Sequence, residues 1–111
     1  KIMANAFKNH GKNLTDATLT EVFTASTETV VHSITICNTN GTDSVNASVS
    51  VVDTSDSSAV YPIISTAPIP ADSTMVFADV KLNVENTDIL KAQSSHASGH
   101  LTVFCSTLEI T

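Results

Sequence analysis

Residues 29–52 alternate between apolar and polar side chains, and this alternation limits the possible folds more than any other feature of the sequence. Residues 30–37, VVHSITIC, have a period of two, and the side that contains Ile34 and Ile36 is predicted to face the core. Residues 45–51 repeat the pattern with smaller apolar side chains. A period of two is typical of a β-strand with one buried face. Between the two stretches, Asn40-Gly41 is a strong signal for a tight turn, so we predict that the two strands pair as an antiparallel hairpin.

The same reasoning predicts further short strands along the chain. They fall at residues 19–25, 60–64 and 73–78, on both sides of a polar turn at 85–88, and at 100–110. We reject a helix over residues 79–91 because β-branched residues and Asn dominate there and no cap is visible. Pro62 predicts an edge strand or a bulge, because proline cannot donate to a strand ladder. The prolines within residues 66–72 predict a stiff crossover from one sheet to another. Together these signals predict an all-β protein, an antiparallel β-sandwich of about seven or eight strands that is immunoglobulin-like or jelly-roll-like.

The first fourteen residues show no sustained period and contain Gly11. We therefore divide the chain into an extended N-terminal arm, residues 1–14, and a single β-sandwich domain, residues 15–111. Lys1, Lys8 and Lys12 make the arm basic, and Phe7 is its one large apolar anchor. We predict that these four residues bind a partner, with the arm lying across an adjacent subunit and its lysines meeting carboxylates there. The alternative is that Phe7 and its neighbours form an edge strand of the same domain.

The charge distribution argues against a nucleic-acid partner. The chain has five lysines, no arginine and eleven carboxylates, for a net charge of -6. From Asp16 onward the balance is 2 − 11 = −9, and phosphate contacts need clustered basic residues. No apolar run is long enough for a membrane helix, and no export signal is visible, so we expect a soluble chain without a membrane partner.

The residues that could carry chemistry do not form a catalytic set. His96 and His100 lie four apart with Ser98-Gly99 between them, and they lack a nearby third metal ligand. Asp53 and Asp56 are better explained by a solvated turn than by a calcium loop. No nucleophile with an oriented base can be singled out. We predict a protein that is not an enzyme and uses no metal or cofactor.

Cys37 and Cys105 fit no zinc or redox spacing. They could form a disulfide that clamps two sheets together. The interpretation that we favour is a pair of small buried thiols in a protein made in a reducing cytosol.

Several segments together resemble the small β-sandwich virion structural proteins of tailed bacteriophages. The resemblance covers nearly the whole chain and rests on AFKNHGKNLT, VFTAS, VVHSITICNTNGTDSVNASVSVVD, APIPADST, LNVENTDILKAQSS and TLEIT. The family's Leu-Glu-x-Gly-Asp turn corresponds to residues 84–88 here, without the glycine.

The resemblance implies a non-enzymatic virion protein made in the cytoplasm of a host bacterium. The expected role is a capsid decoration or cement subunit that binds the capsid surface and neighbouring virion proteins, present as a homo-oligomer in the particle. A neck or tail subunit is the first alternative. A carbohydrate-binding or adhesin module is the second, although sugar sites usually have aromatic platforms and this chain contains one Tyr and no Trp.

Overall fold

The fold consists of nine β-strands and one short 3₁₀ helix in the part of the chain that the computed structural model describes, residues 5–78 and 81–110. The strands are β1 (Asn5–Asn13), β2 (Thr20–Thr24), β3 (Glu28–Asn38), β4 (Val45–Asp53), β5 (Ala59–Ile69), β6 (Thr74–Phe77), β7 (Leu82–Val84), β8 (Ile89–Ser94) and β9 (Leu101–Ile110), with the 3₁₀ helix at Thr54–Asp56.

The strands form two antiparallel sheets. The five-stranded sheet has the order β1-β9-β3-β6, and β7 also pairs with β3. The four-stranded sheet has the order β2-β8-β4-β5. The predicted all-β antiparallel sandwich is confirmed in its jelly-roll-like form, with nine strands rather than seven or eight. Strands are present at 82–84 and 89–94, where a helix was rejected from the sequence.

The core lies between the sheets and follows from the alternation in the sequence. Ile34 and Ile36 of β3 and Val49 of β4 are almost completely buried. A bulge between Val31 and Ser33 changes the alternation of β3 and leaves His32 exposed. The predicted inward face of residues 34 and 36 is therefore confirmed.

The predicted hairpin between β3 and β4 is wrong, because β3 belongs to the five-stranded sheet and β4 to the four-stranded sheet. Gly41 has no positive φ, so Asn40-Gly41 does not form the tight turn that the dipeptide favours. Instead the loop crosses between sheets around the buried side chain of Asn38. Its Nδ2 donates to the carbonyl oxygens of Asp43 at 3.0 Å and Ile69 at 2.9 Å, and its Oδ1 accepts from the N–H of Asn40 at 2.9 Å.

The proline-rich crossover is where the sequence predicts it. The chain leaves β5 in one sheet at Ile69 and enters β6 in the other at Thr74. β5 lies at the edge of its sheet, as Pro62 requires, and its pairing with β4 is irregular on both sides of Val49.

Residues 5–13 form β1, which pairs with β9 from Asn5–Ile110 to Asn13–Thr102. The prediction of an arm outside the sandwich is therefore corrected for these residues, and the edge-strand alternative describes them. The physical reason is that β9 offers an unpaired edge, and a strand need not show alternation when only one or two of its side chains reach the core. Lys1 lies outside the described residues.

One glycine is required by a close approach. Gly99 has φ +78°, and a Cβ atom at this position would lie 1.9 Å from the carbonyl oxygen of Leu14. Leu14 is buried and its N–H donates to the carbonyl of Leu101. The loop before β9 can therefore pack directly on the chain segment that follows β1.

Candidate interaction surfaces

The predicted partner-binding residues of β1 point in two directions. Phe7 is 79% exposed, on the outer side of the five-stranded sheet. Lys8 and Lys12 alternate with Phe7, so they lie on the side of β1 that faces the other sheet, and both are exposed at the margin of the sandwich. We call β1 with these two lysines the basic edge. Phe7 and the lysines are thus neighbours in sequence but do not share a face.

The outer face of the five-stranded sheet carries several large exposed apolar side chains among its Asn, Ser and Thr residues. Phe104 of β9 and Val76 of β6 are 44% and 60% exposed and belong to one row across the sheet, with Gly11 of β1 at its end. Phe7 heads a second row with Leu108. We call the exposed apolar residues here the outer apolar face, and they are Phe7, Val76, Phe104 and Ile110. Solvated faces of antiparallel sheets are normally polar, so this face needs an explanation.

His10 holds the basic edge against the other sheet. Its ring stacks on that of Phe23 of β2, with ring centroids 4.2 Å apart. Its Nε2 atom is buried and makes no hydrogen bond. Burial lowers the pKa of His10; the carboxylate of Glu109 opposes this shift, and the ammonium group of Lys8 adds to it. The neutral imidazole is therefore the form that fits here.

The opposite margin of the sandwich carries exposed apolar residues on both sides of its edge strand. Val60, Tyr61 and Ile63 of β5 are each about half exposed, at 50%, 48% and 45%. The Tyr61 hydroxyl donates a short hydrogen bond to the carboxylate of Asp56, and that contact raises the pKa of Tyr61. We call β5 with these three apolar residues the β5 edge.

The two cysteines are free and lie on opposite faces of the same sheet. Cys105 is buried on the inner side, where burial raises the pKa of its thiol to about 12. Cys37 pairs with Thr102 on the outer side and is partly exposed. A disulfide between the two sheets does not fit this arrangement, since both cysteines belong to one sheet.

The acidic residues near the 3₁₀ helix form a hydrogen-bonded turn cluster. Ligand atoms of Asp53, Glu85 and Asp88 lie within 4.8 Å of one another. The Asp88 carboxylate already accepts hydrogen bonds from the N–H of Thr54 at 3.0 Å and of Glu85 at 3.3 Å. Asp53 caps the 3₁₀ helix by accepting from the N–H of Ser55. The carboxylates of Asp53 and Asp88 therefore close two turns.

His96 and His100 meet in the loop before β9. Their rings lie edge to face with centroids 4.4 Å apart. The Nδ1 atom of His96 accepts a hydrogen bond from the N–H of Ser98 at 3.0 Å. One ligand atom of the pair is thus occupied within the loop.

A shallow polar groove of about 230 Å³ lies on the four-stranded sheet. Its lining residues are Asn46, Ser48, Thr66, Gln93, Ser94 and Ser95. None of these side chains is aromatic, so the groove lacks the stacking platform that sugar sites usually have. Among the described residues, no helix is long and apolar enough to cross a membrane.

Comparison with known proteins shows similarity of fold without similarity of sequence. No protein-family model matches the chain, and no curated protein matches it. A structure from work on the disulfide-linked pili of Bacillus endospore appendages matches with a TM-score of 0.57 and 14% identity, over 98% of this chain and 88% of that chain. A chain of the acid-stable capsid of Helicobacter pylori bacteriophage KHP30 matches with a TM-score of 0.57 and 8% identity, over 99% and 94%.

A third match is the Drosophila NLP core, whose structure was used to study pentamer formation and histone binding. Its TM-score is 0.52 at 19% identity, over 97% of this chain and 98% of that chain. Identities this low establish the fold alone. The chain therefore has a jelly-roll-like structural fold similar to those of capsid and pilus subunits.

Sequence reasoning singled out Phe7 but missed the rest of the outer apolar face. The sequence places Phe104 and Val76 within the predicted strands at 100–110 and 73–78, but it does not show that they share an exposed face. Their outward direction follows from which neighbours in each strand are buried, Val103 and Cys105 in the case of Phe104. The sequence signal for an exposed apolar residue is a strand with apolar residues on both faces. Residues 101–105 form such a strand, because Phe104 lies between the apolar residues Val103 and Cys105.

Proposed function

We propose that this chain is a non-enzymatic structural subunit of a tailed-phage particle, most simply a decoration subunit that binds the capsid surface. The observation that carries the proposal is the outer apolar face, exposed on a jelly-roll-like sandwich similar to capsid subunits. An exposed apolar sheet face of this kind marks a surface for another protein. Such a subunit would be made in the host cytoplasm and reside in the virion.

The residues of β1 give the attachment its expected chemistry. Phe7 provides a large apolar group that is 79% exposed, and Lys8 and Lys12 provide positive charge beside it on an otherwise acidic body. Buried aromatic groups contribute most of the binding energy at protein interfaces, while charged residues at the rim contribute mainly to association rate and specificity. The proposed partner-binding set remains Lys1, Phe7, Lys8 and Lys12, to which we add Val76 and Phe104.

Mass spectrometry of purified virions tests whether the protein is a particle component. We expect its peptides in stoichiometric amounts, and their absence from intact particles would refute the proposal. A density map of the same particles then distinguishes the capsid surface from the neck or tail, which is the alternative location.

Binding of purified protein to capsids that lack it tests the surface. Phe7→Ser and Val76→Ser should each weaken binding by about tenfold or more, which corresponds to about 1.4 kcal/mol. Leu19→Ser is the matched control, because Leu19 is an exposed apolar residue outside the outer apolar face. Equal binding by the three variants would show that another surface makes the contact.

A further inference from the structure

We propose that copies of this chain associate side by side, with the basic edge of one copy against the β5 edge of the next. The partner is thus a second copy of the same chain. The inference concerns how copies meet one another and holds whether or not the assembly is a phage particle.

The two edges lie on opposite margins of the sandwich. At one margin, β1 of the five-stranded sheet lies beside β2 of the four-stranded sheet, and the stack of His10 on Phe23 joins them. At the other margin lie β5 and β6, which end their respective sheets and are connected through residues 70–73. Identical copies placed in a row therefore bring these two different margins together.

The charges of the two edges are complementary. Between residues 5 and 13 the charged side chains are Lys8 and Lys12, with no carboxylate. Between residues 59 and 69 there is no charged side chain, but exposed carboxylates of Asp56 and Asp72 flank this strand on either side. A basic strand facing a margin with acids at both ends places opposite charges across the contact.

Strand register places the charged groups of the two edges at similar positions along the strand direction. A row of paired residues runs from Phe23 through Leu90 and Val51 to Tyr61, across the whole four-stranded sheet. His10 stacks on Phe23, so His10 and Tyr61 lie level on opposite margins. Lys8 is two residues from His10 on the same side of β1. Asp56 is hydrogen-bonded to Tyr61.

A neighbouring copy related by rotation about an axis along the strands would therefore face Lys8 with Asp56. This charge pair forms without any change in the fold.

The contact is made by side chains and joins unlike edges. Pro62 and Pro68 lack an N–H and interrupt any ladder that a further strand could form along β5. Two basic edges brought together would place four lysines close to one another, and inward-pointing charges of this kind protect strand edges against self-pairing. Contacts between unlike surfaces build rings or open chains rather than two-fold dimers.

Sedimentation velocity over a concentration series at low salt tests the association. Wild-type protein should sediment as species larger than the monomer, and Lys8→Glu should raise the concentration for half-association by about tenfold or more. Lys81→Glu is the matched control. Lys81 is an exposed lysine that precedes β7, on the side of β3 opposite to β1 and β9. Its reversal makes the same change of charge but adds a carboxylate on the acidic side of the contact, so it should not weaken association. A monomeric wild type, or equal effects of the two variants, would overturn the proposal.

A charge-swap experiment tests the unlike pairing. Asp56→Lys alone should weaken association as Lys8→Glu does, with circular dichroism and melting temperature confirming that each variant is folded. The double variant Lys8→Glu/Asp56→Lys should associate again because the charges are exchanged across the same contact. An equimolar mixture of the two single variants should also associate, since each supplies edges that complement the other. Failure of both the double variant and the mixture would show that Lys8 and Asp56 do not face each other.

Discussion

At the scale of single residues, Asn38 determines how the chain passes from one sheet to the other. Its amide is completely buried and connects the loop after β3 with the end of β5, through hydrogen bonds to Asp43 and Ile69. A buried polar group is tolerated when its hydrogen bonds are satisfied, and here every bond is to the backbone. Asn38 thus fixes the path of the crossover through its side-chain hydrogen bonds, as a tight turn fixes the path of a hairpin.

We expect Asn38→Ala to lower the free energy of unfolding by about 1 to 3 kcal/mol, because it removes the amide donor to the carbonyls of Asp43 and Ile69 and the acceptor of the Asn40 N–H. Chemical denaturation of the variant measures this loss. Asn40→Ala is a useful comparison, because Asn40 is less buried and its Oδ1 accepts from the N–H groups of Thr42 and Asp43 within the same loop. If Asn38→Ala were no more destabilising than Asn40→Ala, the crossover would not depend on the buried amide.

The core prediction concerns the inward face of β3. Ile34→Ala or Ile36→Ala should destabilise the protein by about 2 to 5 kcal/mol, because each removes a buried aliphatic side chain and leaves a cavity. Thr35→Ala, on the outer side between them, should change stability far less. Equilibrium unfolding in urea gives all three values, and equal shifts would mean that the two faces are not distinguished by burial.

His10 makes stability depend on pH. Because its folded-state pKa lies below the usual 6.5, the unfolded chain takes up the proton first as pH falls. This group therefore has no effect on stability above pH 6.5, and it reduces stability as the pH falls from 6.5 through the folded-state pKa. His10→Phe keeps a ring on Phe23 but cannot take up a proton, so its melting temperature should fall less over the same pH range. Parallel pH profiles for the wild type and His10→Phe would contradict the role of His10.

At the scale of strands, the sequence predicts where most strands lie but not which strands pair. Alternation reports that a segment has a buried and a solvated face, and this is why β3, β4 and β9 were found. It carries no information on the partner, so β3 and β4 were paired through Asn40-Gly41 although they lie in different sheets. β1 was missed for a related reason. It is held mainly by its backbone ladder to β9, and most of its side chains are exposed.

The edge-strand position of β1 predicts the result of removing it. Deletion of residues 1–13 should lower the melting temperature markedly, because β9 loses its partner and the ring of Phe23 loses the stacked His10. Phe7→Ser should leave the melting temperature nearly unchanged, because the ladder remains and Phe7 is already exposed. Differential scanning calorimetry of both variants provides the comparison. A deletion variant as stable as the wild type would show that β1 behaves as a detachable arm.

At the scale of the whole molecule, the proposed contact with a particle and the proposed contact between copies use different surfaces. The outer apolar face presents apolar side chains among polar ones, with the carboxylate of Glu28 opposite Ile110. The proposed contact between the basic edge and the β5 edge instead pairs lysines with carboxylates. The jelly-roll-like sandwich keeps them apart, because one is a sheet face and the others are the two margins. A subunit built in this way can bind a particle through its face and its own copies through its margins.

Because the net charge is -6, salt has two opposite effects on association between copies. Acidic bodies repel one another, and salt weakens this repulsion, which favours association. Salt also weakens the attraction of Lys8 and Lys12 for carboxylates, since the screening length falls from about 10 Å at 0.1 M to about 3 Å at 1 M. The variant Lys8→Gln/Lys12→Gln loses the specific attraction, and its net charge of −6 − 2 = −8 increases the repulsion. We therefore expect the association constant of the wild type to fall with salt relative to that of the variant, so that the two curves converge at high salt. Curves that stay parallel from low to high salt would mean that the lysines do not take part in the contact between copies.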